Sequence, residues 1–106
     1  MFSPCILVID NDVKLLVSLE AVLNRAGYRV LTAHDDRQGI TLAQAARPEV
    51  ILCGVSRSTR NQVDVRRTLA QDSGTASIPL IPLTKPFDRQ ELVAQVNAMI
   101  RSQSIS

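Results

Sequence analysis

Two short runs of apolar residues, at positions 5–9 and 50–53, limit the possible folds more than any other feature of the chain. Both runs are rich in Ile, Leu and Val and do not alternate with polar residues, which is typical of strands buried on both faces of a parallel sheet. The first stops at Asp10 and the second at Gly54. Neither approaches the roughly 18–20 residues of a membrane-spanning helix, so we expect no membrane segment and a cytoplasmic protein.

Segments with helical periodicity separate the predicted strands. Apolar side chains recur at helical spacing over residues 13–26, and either Asn11 or Asp12 is placed to cap the start of that helix. Residues 28–32 predict the second strand. Asp35, followed three positions later by a glutamine, forms a capping box that predicts the start of the second helix.

The second half of the chain repeats this alternation. A weaker helix is predicted around residues 65–69, then a strand at 78–84 whose two prolines confine it to a sheet edge, then an amphipathic helix that begins after Asp88. Strands that alternate with helices over short loops indicate one parallel sheet with helices on both faces. At 106 residues the chain is expected to form one domain, with a core at 5–101 and a polar tail at 102–106.

Composition argues against several kinds of site. The net charge of +2 is too small to indicate a nucleic-acid partner by itself, and the chain has one His and two cysteines, without metal-ligand spacing. Cys5 and Cys53 are offset by about four residues on neighbouring strands, roughly 13 Å at 3.3 Å per residue, which is too far for a disulfide. We therefore expect reduced core thiols and no cofactor.

Six short motifs, in order along the chain, resemble the receiver domain of two-component response regulators. They lie at residues 6–12, 27–30, 48–52, 78–81, 83–84 and 85–87. The resemblance implies an α/β, flavodoxin-like, doubly wound parallel sheet with helices on both faces. Here the sheet would be truncated to about four strands in the order 2-1-3-4.

The resemblance also implies a phosphorylation pocket, at which this chain departs from the family. The corresponding residues are Asp10, Asn11, Gly54, Thr84 and Lys85. Gly54 stands at the phosphoacceptor position and offers no side-chain oxygen, so an aspartyl phosphate cannot form there. Asn11 replaces the second acidic residue, which leaves Asp10 as the one carboxylate of the three that hold Mg²⁺ in the family. We expect a degenerate pocket with no metal, no catalytic residue and no enzymatic activity.

A second departure concerns the sheet edge. Thr84 and Lys85 are consecutive here, whereas a helix and a fifth strand separate their counterparts in the family. The fourth strand then becomes an edge, and orienting Pro79 toward the sheet places Pro82 on the open side, where it limits further pairing. We hypothesise that self-association, as a dimer, or a partner protein covers this surface. The predicted contact residues are Leu80, Ile81, Pro82 and Leu83.

The favoured function is a phosphorylation-independent, receiver-like signalling module that acts by protein–protein interaction. One alternative is binding of an anion or nucleic acid by the arginine-rich segment 57–67, chiefly through Arg57 and Arg60, although a solvated helix face with arginines near Asp10 is the simpler interpretation. A replacement acceptor among the hydroxyls at 56–59 lacks a nearby base. The chain is also interpretable as a degenerate fragment of a longer regulator.

Overall fold

A computed structural model describes residues 3–54, 65–83 and 87–104. Strand and helix alternate along these residues, as the periodicity predicts. The elements are β1 (Cys5–Ile9), α1 (Val13–Arg25), β2 (Arg29–Ala33), α2 (Asp36–Ala46), β3 (Val50–Gly54), α3 (Val65–Ala70), β4 (Leu80–Leu83) and α4 (Arg89–Ser104). None of the described helices has the length and hydropathy needed to cross a bilayer.

The four strands form one parallel sheet in the order β2-β1-β3-β4, which confirms the predicted fold class and strand order. Ile9 at the end of β1 is paired with Ala33 of β2 and with Cys53 of β3. The cysteines are thus offset by four residues, as predicted, and both are free thiols. Because all strands run the same way, the residues after β1 and at the end of β3 meet at the carboxyl ends of the strands.

Two hydrophobic clusters sandwich the sheet and explain the uninterrupted apolar runs. Every residue of β1 is buried, and successive side chains enter opposite clusters. On one face, strand residues pack against α1 and α4; the buried members are Ile6, Val8, Leu16, Leu19, Leu23, Val50, Leu52, Ile81, Leu83, Leu92 and Val96. On the other face they pack against α2 and α3; the buried members are Leu7, Ile9, Ala33, Ala43, Ile51, Val65 and Leu69.

Two of the four predicted contact residues on β4 are buried, contrary to the prediction. Ile81 and Leu83 are buried beneath α4 in the first cluster, so they contribute to the core and are not exposed. Alternate side chains of a strand point to opposite faces, which places Leu80 half-buried on the other side and leaves Pro82 exposed. The prediction of an exposed contact surface was wrong for Ile81 and Leu83 and stays a prediction for Leu80 and Pro82.

The orientation of the two prolines agrees with the sequence prediction. The backbone N–H of Ile51 donates to the carbonyl of Pro79 at 3.0 Å, and Ile51 is paired with Leu80. In a parallel ladder this pattern directs the polar backbone groups of Pro79 and Ile81 toward β3. The backbone groups of Leu80 and Pro82 therefore point to the open edge, where Pro82 has no N–H to donate.

The caps of α1 and α2 agree with the sequence prediction, whereas α4 extends further than predicted. Asp12, and not Asn11, caps α1, because its carboxylate accepts from the N–H of Leu15 at 3.3 Å. Asp35 accepts from the N–H of Gln38 at 2.7 Å, as the predicted capping box requires. Helix α4 continues to Ser104, into the predicted polar tail, because serine and glutamine tolerate a helix that no glycine or proline interrupts.

Candidate functional site

Asp10 lies at the carboxyl end of β1, in the position that the sequence assigns to the pocket. It is 5% exposed, and its backbone N–H donates to the carbonyl of Ala33 at 3.0 Å, which fixes the chain as it leaves β1. The Oδ1 atom accepts from the N–H of Asp12 at 2.8 Å. This hydrogen bond orients the carboxylate and leaves Oδ2 directed toward β3.

Gly54 ends β3 beside this carboxylate. A Cβ atom built on Gly54 would overlap Oδ2 of Asp10 and would lie 2.8 Å from its Cγ. Real Cβ atoms do not approach other atoms this closely, so the carboxylate of Asp10 fills the space that a side chain at position 54 would need. A side chain at position 54 would therefore require the Asp10 carboxylate to turn aside.

The donor groups of the pocket do not match those of a Mg²⁺ site. Magnesium takes oxygen ligands at about 2.0–2.1 Å in octahedral geometry and is anchored by carboxylates. Within the residues that the structure describes, no three His, Cys, Asp or Glu side chains are grouped so that they could hold a metal ion. The described residues next to Asp10 include the exposed Asn11, the helix-capping Asp12 and Gly54, which has no side chain.

The end of β2 adds charged groups beside the pocket, which the sequence analysis did not assign. His34 Nδ1 lies 3.6 Å from Asp35 Oδ2, and both side chains are exposed. Burial, and then the neighbouring Asp35, raise the pKa of the Asp36 carboxyl above its usual range. These residues begin α2, and the capping pattern that marks them is a structural signal, so we assign them to the helix and not to the pocket.

Several predicted site residues lie outside the described part of the chain. These are Thr84 and Lys85 of the pocket and Arg57 and Arg60 of the arginine-rich segment. The structure brings together Asp10, Asn11 and Gly54, and it leaves any pairing of Lys85 with Asp10 as a prediction. The contact that sequence reasoning missed is the one between Asp10 and position 54, which depends on the register of two strands far apart in sequence.

Comparisons with known proteins identify relatives along most of the chain, although no protein-family model matches it. Protein PilH of Pseudomonas aeruginosa is 28% identical over 116 residues, covering 90% of this chain and 96% of PilH. The DNA-binding response regulator MtrA of Mycobacterium tuberculosis is 32% identical over 117 residues, covering 91% of this chain. The chain spans about half the length of MtrA.

Both alignments are longer than the part of this chain that they cover. Because 90% of 106 residues is about 95, about 21 of the 116 positions aligned with PilH have no counterpart here. The MtrA alignment gives the same difference, since 91% of 106 is about 96 of 117 positions. A helix of about 11–12 residues, a strand of about 5–6 and their connections would together have about this length.

Solved structures share the arrangement of strands and helices. The chemotaxis response regulator CheY4 of Vibrio cholerae superposes with a TM-score of 0.82 at 21% identity, over 92% of this chain and 99% of CheY4. The receiver domain of a histidine kinase from Syntrophus aciditrophicus gives a TM-score of 0.85 at 18% identity, over 94% of this chain and 92% of that domain. The shared sheet and the sequence relatives together make this chain a homologue, with the same fold, of the receiver domains of two-component response regulators.

Proposed function

We propose that the chain is a phosphorylation-independent signalling module that acts in the cytoplasm by protein–protein contact and catalyses no reaction. The observation that carries this proposal is the packing of the Asp10 carboxylate into the space above Gly54. Formation of an acyl phosphate needs a carboxylate nucleophile at that position. The backbone of Gly54 supplies none.

The rest of the scaffold supports a role in recognition. Both faces of the sheet have complete buried clusters, and the described helices pack on them as receiver helices do. A fold of this kind retains a defined surface even when the chemistry of its pocket is absent, because function resides in sites placed on the fold. What such a molecule transmits would depend on which protein docks on it.

Intact-mass measurement after incubation with acetyl phosphate and MgCl₂ tests the proposal. We expect no mass increase equal to a phosphoryl group, since no described group can accept one at position 54. A receiver domain with the acceptor aspartate, treated in parallel, is the positive control. The double variant Asn11→Asp/Gly54→Asp is the matched variant that restores both carboxylates. A phosphoryl adduct on the unaltered chain would contradict the proposal.

A further inference from the structure

A groove with a volume of about 610 Å³ runs between the open edge of β4 and the first half of α4. Phe87 and Leu92 contribute apolar surface to it, and Pro82 forms its wall on the strand side. The sheet ends at β4 among the described residues, so the groove lies where a further strand would continue the sheet. Its position beside an unpaired backbone edge distinguishes it from an ordinary surface depression.

The edge of β4 offers a defined set of hydrogen-bonding groups to an incoming strand. The pairing with β3 directs the N–H and C=O of Leu80 and the C=O of Pro82 outward. An added strand would thus receive one hydrogen bond from Leu80 and donate two, to Leu80 and Pro82. Four residues of β4 span about 13 Å, so a short extended segment is sufficient.

Among the described residues, the charged side chains that line the groove are both acidic. Asp88 and Glu91 are exposed on its rim, and neither forms an ion pair with any described residue. One Oδ atom of Asp88 accepts from the N–H of Gln90 at the start of α4, while the carboxylate of Glu91 extends from the first turn. This charge favours a cationic occupant and disfavours a second copy, because a twofold contact between grooves would bring four carboxylates together.

We propose that this groove binds an extended, lysine- or arginine-containing segment of a partner protein, which adds to the edge of β4 as a further strand. The inference deepens the proposed function, since it names the surface and the chemistry of the contact. Backbone hydrogen bonds to Leu80 and Pro82 provide the attachment. Apolar side chains of the segment lie over Phe87 and Leu92, and its basic side chains lie beside Glu91.

Amide NMR titration with two defined peptides tests this assignment. The lysine probe is the capped hexapeptide Lys-Thr-Val-Thr-Lys-Thr, in which lysine and valine share one face of an extended strand. The matched glutamate probe has glutamate in place of both lysines, and each is added to about 1 mM, which detects even weak binding. We expect the lysine peptide to shift the amide resonances of Leu80, Glu91 and Gln95, and to bind at least tenfold more tightly than the glutamate peptide. Absence of shifts, or equal binding of both peptides, would overturn the proposal.

Variants separate the two contributions to binding. Glu91→Gln removes one rim charge and should weaken the lysine peptide about two- to fivefold, whereas Glu20→Gln on α1, which does not line the groove, should leave binding unchanged. Pro82→Val restores a donor to the open edge and should strengthen binding. Methylation of the peptide backbone nitrogens should abolish it, and retention of binding by the methylated peptide would exclude strand addition.

The same experiments distinguish failure of this inference from failure of the proposed function. Peptide binding together with a phosphoryl adduct would keep the groove and overturn phosphorylation independence. If neither peptide binding nor a phosphoryl adduct is observed, the groove assignment is overturned and the proposed function is not. Sedimentation as a dimer that Pro82→Val strengthens, without peptide binding, would assign the edge to a second copy and overturn the present occupant.

Discussion

At the residue scale, the contact between Asp10 and Gly54 determines how much space the pocket has at position 54. The carboxylate of Asp10 is held by the N–H of Asp12 and occupies the space above Gly54. Gly54 is not among the described residues with positive φ, so a larger residue there is opposed by this overlap and not by backbone conformation. The space available at position 54 is therefore set by the side chain of Asp10, which follows β1.

This contact predicts a coupling between two substitutions. Gly54→Ala should lower the free energy of unfolding by about 1–3 kcal/mol, because its Cβ displaces the Asp10 carboxylate. In an Asp10→Ala background the same change should be neutral or stabilising by up to about 1 kcal/mol, since alanine restricts the unfolded chain more than glycine does. Urea unfolding of the four proteins measures the coupling, and additive effects would show that the overlap is relieved without cost.

At the scale of elements, the position of α4 governs how the edge of the sheet is presented. Leu92 and Val96 bury its inner face against β3 and β4. A polar contact joins α4 to the β2 side of the same face, where the hydroxyl of Tyr28, just before β2, donates to Oδ1 of Asn97. Burial raises the pKa of the Tyr28 hydroxyl above 10.0, and Arg101 partly offsets the shift by favouring the ionised form.

Tyr28→Phe should therefore reduce stability in a pH-dependent way. At neutral pH the loss should be about 0.5–1.5 kcal/mol, the net contribution of one hydrogen bond. The raised pKa means that the neutral hydroxyl stabilises the fold fully below about pH 10, and that this contribution decreases as pH rises through the folded-state pKa.

Urea unfolding of both proteins at neutral pH and above pH 10 checks this prediction, with the ultraviolet absorbance of the only tyrosine reporting its ionisation directly. The stability difference between the two proteins should shrink at the higher pH. An undiminished difference would show that Tyr28 contributes by packing and not through its hydroxyl.

At the scale of the whole molecule, the described strands have the order found in receiver domains and end at β4, and α4 packs on the face shared with α1. The order of strands places Asp10 and Gly54 together regardless of the groups that they carry. The fold thus places Asp10 and Gly54 together at the predicted pocket, where the described residues form no metal-binding cluster.

The donor set predicts that magnesium does not stabilise the protein. A specific ligand present at 100 times its Kd would add about 2.7 kcal/mol to the free energy of unfolding. We expect thermal unfolding in about 10 mM MgCl₂ to match that in NaCl of equal ionic strength, because Asp10 is the one pocket carboxylate not used as a helix cap. An increase in Tm specific to MgCl₂ would contradict this expectation, and the Asn11→Asp/Gly54→Asp variant tests whether carboxylates restore a response.

The strands and most helix ends could be predicted from the sequence, whereas the contacts between distant elements could not. The runs that became β1 and β3 are apolar throughout because each is covered on two faces, and the caps Asp12 and Asp35 act within one helical turn. The packing of β4 could not be predicted in the same way. Alternation separates Ile81 from Pro82, but which of them is buried depends on where α4 docks, and no local pattern specifies that.

The filled space above Gly54 also constrains how such a pocket can change over generations. An aspartate introduced at position 54 meets the carboxylate of Asp10 before it can meet a phosphate, so the replacement that resembles a repair begins as a steric and electrostatic defect. The Asp10 side chain must turn aside before such a carboxylate can reach a ligand. Restoring an acceptor at position 54 therefore depends on the conformation of Asp10 as well as on the substitution itself.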